Sequence, residues 1–363
     1  MLTTLVFILI LGILVIVHEF GHFIAAKKSG VRVEKFSVGF GPKLFSVKKN
    51  KTEYAVAALP LGGFVKLAGD NYEEFKGVPD EYFSQPIYKR FWIIFCGPLL
   101  NYILGFLFFW IIFCVGYPTL TNKVGEVMEG YGAQAAGVVP GDRIVSIEGK
   151  SVKTWEDLQQ AIQENSNKAE ELKVGVLRNG EESFLSIKLK QLSLSDVLGQ
   201  KRKTGLIGIK PDVKESIIVR YGFFQSAYYS AKKTVDLTVM TYKSMWFMIS
   251  GKLPLKESVT GPVGMFMITS EVTKVGIIAL MNWIALLSVS LGIFNLLPIP
   301  ALDGGHVLML LVEKIRGKGL SQKSDEIFSK TGFGLIIFLA CLVFFNDLSK
   351  YGLIDKVINF FKK

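Results

Sequence analysis

The feature that most constrains this chain is His18-Glu19-Phe20-Gly21-His22, because it follows Met1 to Val17, a stretch without a single charge. An uncharged run of that length suits a membrane-spanning helix, and the pentapeptide falls where such a helix is still in lipid. On a helix His18 and His22 are four residues apart, so both imidazoles leave one face together. That spacing suits one zinc ion, with Glu19 beside it to accept a proton from water. The pattern is loose by itself, and a chance match is the plain alternative. Here the chain holds only three histidines, and two of them make the motif. Ionisable groups at membrane depth are costly unless they serve a function, which favours a working site.

Composition agrees with a membrane protein. Half of the 363 residues are hydrophobic. Phe91 to Tyr117 and Ile277 to Leu297 are further uncharged stretches long enough to span, and Thr331 to Phe345 is a shorter fourth. The first span lacks the basic leader of a signal peptide; Lys27, Lys28, Arg32 and Lys35 follow it instead. The positive-inside rule then places the 25–90 loop in the cytoplasm and both termini outside, with segment 118–276 also outside. Lys314, Arg316, Lys318, Lys323 and Lys330 mark the loop after the third span as cytoplasmic. The net charge of +11 reads as topology plus attraction to anionic headgroups of the bilayer. No basic, aromatic face suggests a nucleic-acid partner. Cys96, Cys114 and Cys341 all fall in apolar spans without metal spacing, as small hydrophobic fillers.

Catalytic zinc ordinarily has three protein ligands, and residues 23–28 offer no third. The candidate is Asp303, in the run Asn295-Leu-Leu-Pro-Ile-Pro-Ala-Leu-Asp303-Gly-Gly-His306. Pro298 and Pro300 interrupt the helix, and broken backbone at membrane depth is tolerated where it lines a polar cavity. The plainer role for Asp303 is an N-cap of a helix from Gly304 onward; the missing ligand favours the metal.

The two motifs together resemble the site-2 protease family of intramembrane zinc proteases (peptidase family M50). They are most similar to its bacterial regulator-of-sigma-E protease branch. Gly39-Phe-Gly-Pro42, Leu61-Gly-Gly-Phe-Val-Lys-Leu67, Gly97-Pro-Leu-Leu-Asn101 and Phe345-Asn-Asp-Leu348 extend the resemblance along nearly the whole chain. The resemblance implies one zinc per chain on His18, His22 and Asp303, with Glu19 as general base. It also implies that Asn295 steadies substrate or oxyanion, although an interhelical hydrogen bond in lipid would explain that residue as well. His306 is expected beside the site or in a structural role.

A helical substrate must unwind before its peptide bonds can be attacked, and a strand edge could hold it. Tyr54 to Leu59 and Pro60 to Leu67 read as two short strands around a glycine turn, with Gly39 to Phe45 as a companion loop. The plain reading is an ordinary cytoplasmic hairpin; the resemblance implies a membrane-dipping sheet whose Gly62, Gly63 and Phe64 contact substrate. Asp70 to Pro86 reads as an acidic linker. Val124 to Gly149, a helix from Thr154 to Ile162, and strands around Asn179-Gly180 resemble one PDZ domain, where the best-known relative has two.

The expected fold is thus a polytopic α-helical membrane protein with about four spans, a membrane-associated β-hairpin and one inserted extracytoplasmic α+β PDZ domain. The expected boundaries are spans at 1–26, 91–117, 277–306 and 331–348, with cytoplasmic loops at 27–90 and 307–330. The PDZ domain is expected at 122–192, a linker with an interfacial helix at 193–276, and a tail at 349–363. The expected activity is hydrolysis of peptide bonds within or near the span of single-pass proteins in the bacterial inner membrane. Anti-sigma factors already trimmed by another protease and remnant signal peptides are the implied substrates. The rivals are a membrane-anchored zinc protease acting outside lipid and a non-catalytic PDZ adaptor.

Overall fold

A computed structural model describes residues 2–166, 169–195, 201–254, 258–319 and 321–352. The part of the expected tail beyond residue 352 lies outside them. Among the described residues, four helices are long and apolar enough to cross a membrane: α1 (Leu2–Ser29), α2 (Ile87–Val115), α7 (Ile277–Asn295) and α9 (Gln322–Lys350). On α1, Leu2, Leu5, Leu9 and Ile13 are exposed at near-helical spacing, while Ile10 and Leu14 are buried. That split gives the helix a face for lipid and a face for protein. Gly30, at φ +82°, ends it in a conformation other residues rarely adopt. The three cysteines are free thiols.

The chain divides into two compact units. The first comprises residues 1–112, 226–242 and 254–363. It contains β1 (Val33–Lys49) and β2 (Thr52–Leu67), joined by Asn50 and Lys51 at φ +48° and +65°. Two left-handed residues in succession suit a tight two-residue hairpin turn. The sequence reading put the turn at glycine; the strands are instead long and folded over. Residues 35–38 pair with 53–56 and again with 63–66, so the C-terminal part of β2 lies against β1 along one side. Beyond the hairpin, Glu81 is buried and its carboxylate accepts the N–H groups of Lys76 and Val78, giving the acidic linker a fixed turn.

Boundaries differ from expectation in the second half of this unit, where the fourth-span helix also opens at Gln322 rather than at 331. The third span stops at Asn295 rather than at 306, because Pro298 and Pro300 cannot donate to a continuing helix. Asp303 instead opens a new amphipathic helix, α8 (Asp303–Arg316), which runs from the end of the expected span into the expected 307–330 loop. Gly317, at φ +69°, closes α8. Helix α6 (Pro262–Val275) precedes α7 across Gly276. The fourth span is tied down through the buried Asp347, which accepts the N–H groups of Gly261 and Gly264 at 3.0 and 2.9 Å.

The second unit comprises residues 113–225 and 243–253. Its largest sheet has the order β6 (Lys150–Ser151), β5 (Arg143–Ile147), β7 (Glu171–Arg178), β8 (Glu181–Lys188). Asn179 and Gly180 form the tight turn between β7 and β8. Helix α4 (Trp155–Asn165) starts at a capping box between Thr154 and Asp157, with α3 (Gly132–Ala135) nearby in sequence. The core joins Ile144, Ile147, Leu158, Leu172, Val174 and Ile187, each fully buried. Separate two-stranded ladders pair β3 (Tyr117–Leu120) with β12 (Ser216–Val219) and β4 (Val124–Val127) with β11 (Ile209–Pro211). A third pairs β9 (Lys190–Ser195) with β10 (Lys201–Leu206). The unit therefore reaches to about residue 219, where a linker had been expected from 193. It is α+β as anticipated, but its sheets do not join into one closed PDZ-type sheet. Helix α5 (Phe223–Ile249) follows it.

Candidate metal centre

His18 and His22 project from one face of α1 and meet Asp303 at the first turn of α8. The three residues can each offer one ligand atom, all within 4.8 Å of one another. His18 Nε2 lies 3.1 Å from Asp303 Oδ2, and His22 Nε2 lies 3.5 Å from Oδ1. The two Nε2 atoms are 3.2 Å apart. Asp303 does not cap its helix; Leu302 is the N-cap, with no side-chain cap bond. Its carboxylate faces the histidines instead.

The surroundings fit a cation. His22 Nδ1 donates to the carbonyl oxygen of Ile93 at 2.8 Å. A carbonyl only accepts, so that contact puts the proton on Nδ1 and leaves the Nε2 lone pair aimed at Asp303. Asp303 Oδ2 is buried and has no hydrogen-bond partner. A buried carboxylate oxygen without a donor is costly, and a cation between it and the imidazoles removes the cost. Two imidazoles and one carboxylate are the donor set of a zinc site that keeps a position open.

Close approach of the elements depends on missing side chains. A Cβ on Gly97 of α2 would overlap the His22 ring, and one on Gly21 would overlap the backbone at Cys96. Gly304 and Gly305 pass against the carbonyls of Leu297 and Ile299 in the same way.

Glu19 is held from the sheet. The Val65 N–H donates to its carboxylate. A Cβ on Gly63 would lie 3.5 Å from Glu19 Cγ. Of the residues expected at a substrate contact, Gly62 and Gly63 are buried, and Phe64 stacks on Phe40 at 6.3 Å between ring centroids. A cavity of about 340 Å³ is lined by Glu19, His22, Asp303 and His306 and extends to Asp70, Arg90, Glu313 and Asp325. The Arg90 guanidinium pairs with the Glu313 carboxylate on its wall. Burial pushes the Asp70 carboxyl above the usual carboxylate range. His306 is exposed in this cavity, one turn beyond Asp303. Asn295 ends α7 half-buried and is not among the residues lining it.

The sequence also has informative relatives. A Clostridium acetobutylicum protein named as a zinc metalloprotease is 36% identical over 344 residues, covering 94% of this chain and 96% of its own. The regulator of sigma-W protease RasP of Bacillus subtilis is 28% identical, covering 96% of this chain and 98% of its own. Among solved structures, the PDZ domain of an SdrC-like protein from Listeria innocua is 26% identical over 25% of this chain and 93% of its own, with a TM-score of 0.20. Residues 6–339 match the description of peptidase family M50. With a match over nearly its whole length and the histidine–aspartate cluster in place, the chain belongs to peptidase family M50.

Proposed function

We propose that this chain is an intramembrane zinc metalloendopeptidase that cuts single-pass membrane proteins. The observation that carries the reading is the meeting of His18, His22 and Asp303 at one point beside Glu19, on a helix apolar enough to cross a bilayer. Those three residues would hold a zinc ion, and the chemistry it would supply there is Lewis-acid activation of water and of the scissile carbonyl.

The chain's own groups do the rest. Glu19, fixed by the Val65 N–H, accepts the proton of the attacking water and returns it to the leaving amine. The 63–67 segment of β2 runs past Glu19 and holds an unwound substrate strand by main-chain hydrogen bonds. Gly62 and Gly63 leave room for that strand, with Phe64 beside it. Asn295 and His306 serve the substrate side and the surroundings of the metal, respectively. The polar cavity toward Arg90 and Glu313 admits water from the cytoplasmic side, an orientation that the basic loops support.

Kinship with a regulator of sigma-W protease supports trimmed anti-sigma factors as substrates, alongside signal-peptide remnants. The 113–225 unit serves as a PDZ-type filter outside the membrane that turns away bulky ectodomains. Metal analysis of the purified chain, paired with cleavage of a tagged single-pass substrate, tests the proposal. One zinc per chain and cleavage lost in Glu19→Gln, with zinc retained, is the expected result. Cleavage unchanged in Glu19→Gln contradicts it.

A further inference from the structure

We infer that Asn101 of α2 is a positioning residue for His18: it accepts the Nδ1 proton and so fixes the tautomer and ring orientation that present Nε2 to the metal. The inference rests on the zinc site proposed above. Asn101 is completely buried inside a membrane span, where an unpaired carboxamide is expensive. Its side-chain amide lies 3.2 Å from His18 Nδ1. Its oxygen, Oδ1, is buried without a hydrogen-bond partner as the amide is oriented with nitrogen toward the ring.

Carboxamide oxygen and nitrogen exchange places by a half-turn of the side chain. If His18 uses Nε2 for the metal, its Nδ1 carries a proton, and a ring N–H cannot face an amide N–H. Only Oδ1 can meet it. The half-turn gives the orphaned oxygen its donor and leaves the Nε2 lone pair directed at Asp303.

The same helix does this twice. Ile93 and Asn101 are eight residues apart on α2, about two turns. The Ile93 carbonyl takes the Nδ1 proton of His22, and the Asn101 carboxamide takes that of His18. Gly97, midway between them, lets α2 come close to the His22 ring. The position of Asn101 is set from its other side, because buried Ser288 of α7 donates to the Asn101 carbonyl oxygen at 2.7 Å. Such outer partners of a ligating histidine typically contribute about 10- to 100-fold in metal affinity.

The test is zinc affinity of the full chain in detergent, read by competition with a chelator, for wild type, Asn101→Leu and Asn101→Asp. Leucine keeps the branched shape and removes the acceptor; aspartate keeps an acceptor oxygen. Asn101→Leu is expected to weaken zinc binding by about 10-fold or more, with Asn101→Asp close to wild type. Equal affinity in all three, or equal loss in both variants, overturns the role. A second readout needs no variant. With only three histidines, ¹⁵N-histidine NMR of the zinc-loaded wild type reports the His18 tautomer directly. A proton on Nδ1 supports the assignment, and a proton on Nε2 contradicts it. Wild type that binds no zinc at all overturns both this inference and the reading beneath it.

Discussion

At the scale of residues, the cluster is a set of acceptors gathered where lipid would forbid them unpaired. His22 is locked by Ile93, and Asp303 has a buried oxygen with no donor. Asp303→Asn keeps the shape but removes the charge. It is expected to lower zinc occupancy sharply, as measured by metal analysis after dialysis, while the chain stays folded. Gly97→Ala puts a methyl group into the His22 ring. Peptidase activity and zinc affinity are expected to fall together by about 10-fold or more, because the imidazole must turn from its position. The histidines and Asp303 were legible in the sequence because their types, depth and spacing name a chemistry. Val65 and Ile93 were not, because a backbone N–H or carbonyl has no signature in the side chain that carries it. Asn101 was visible only as part of a motif, with no role attached.

Asp142 in the second unit offers a residue-scale prediction outside the membrane. Burial alone would raise its carboxyl, but the Arg178 guanidinium and the Val139 N–H outweigh burial and hold it below the usual range. A carboxylate depressed in the folded state stabilises above the unfolded value of about 4, and that stability is lost as pH falls through the folded value. Melting of this unit is expected to drop on acidification below about pH 4 in wild type and to change less in Arg178→Gln. Thermal unfolding across pH checks it; identical pH dependence in both would contradict it.

At the scale of elements, the interruptions do more than the helices. The break after α7 ends one helix at Asn295 and starts another at Asp303, which delivers a first-turn carboxylate to α1. The prolines predicted a break, and a helix from Gly304 onward stood only as the alternative to the metal role; the helix and the carboxylate's approach to the histidines occur together. Gly332 of α9 passes so close to Pro300 that a Cβ there would overlap it. The hairpin was read too short because its glycines look like a turn, whereas they are places of close approach within β2. The actual turn, Asn50-Lys51, lacks the usual glycine. Asp347 joins α9 to the start of α6 through two backbone N–H groups. Asp347→Ala strands both donors in a buried setting, at about 1–3 kcal/mol each. Limited proteolysis near residue 261 should accelerate; an unchanged cleavage rate would show that α9 is held some other way.

At the scale of the whole molecule, four apolar helices and a two-unit organisation follow from hydropathy, which length and charge pattern made readable. The extent of the second unit did not follow, because β11 and β12 pair back across some eighty residues or more with strands that precede the sheet. Long-range pairing of this kind leaves little local pattern. Chelator should abolish peptidase activity and added zinc restore it, with the second unit's fold unaffected.

The most direct measurement is to reconstitute the chain in liposomes with a truncated single-pass substrate and locate the cut by mass spectrometry, with Glu19→Gln in parallel. The expected result is a Glu19-dependent cut inside or at the edge of the substrate's span. A cut confined to regions outside the bilayer, or one that survives Glu19→Gln, would contradict it.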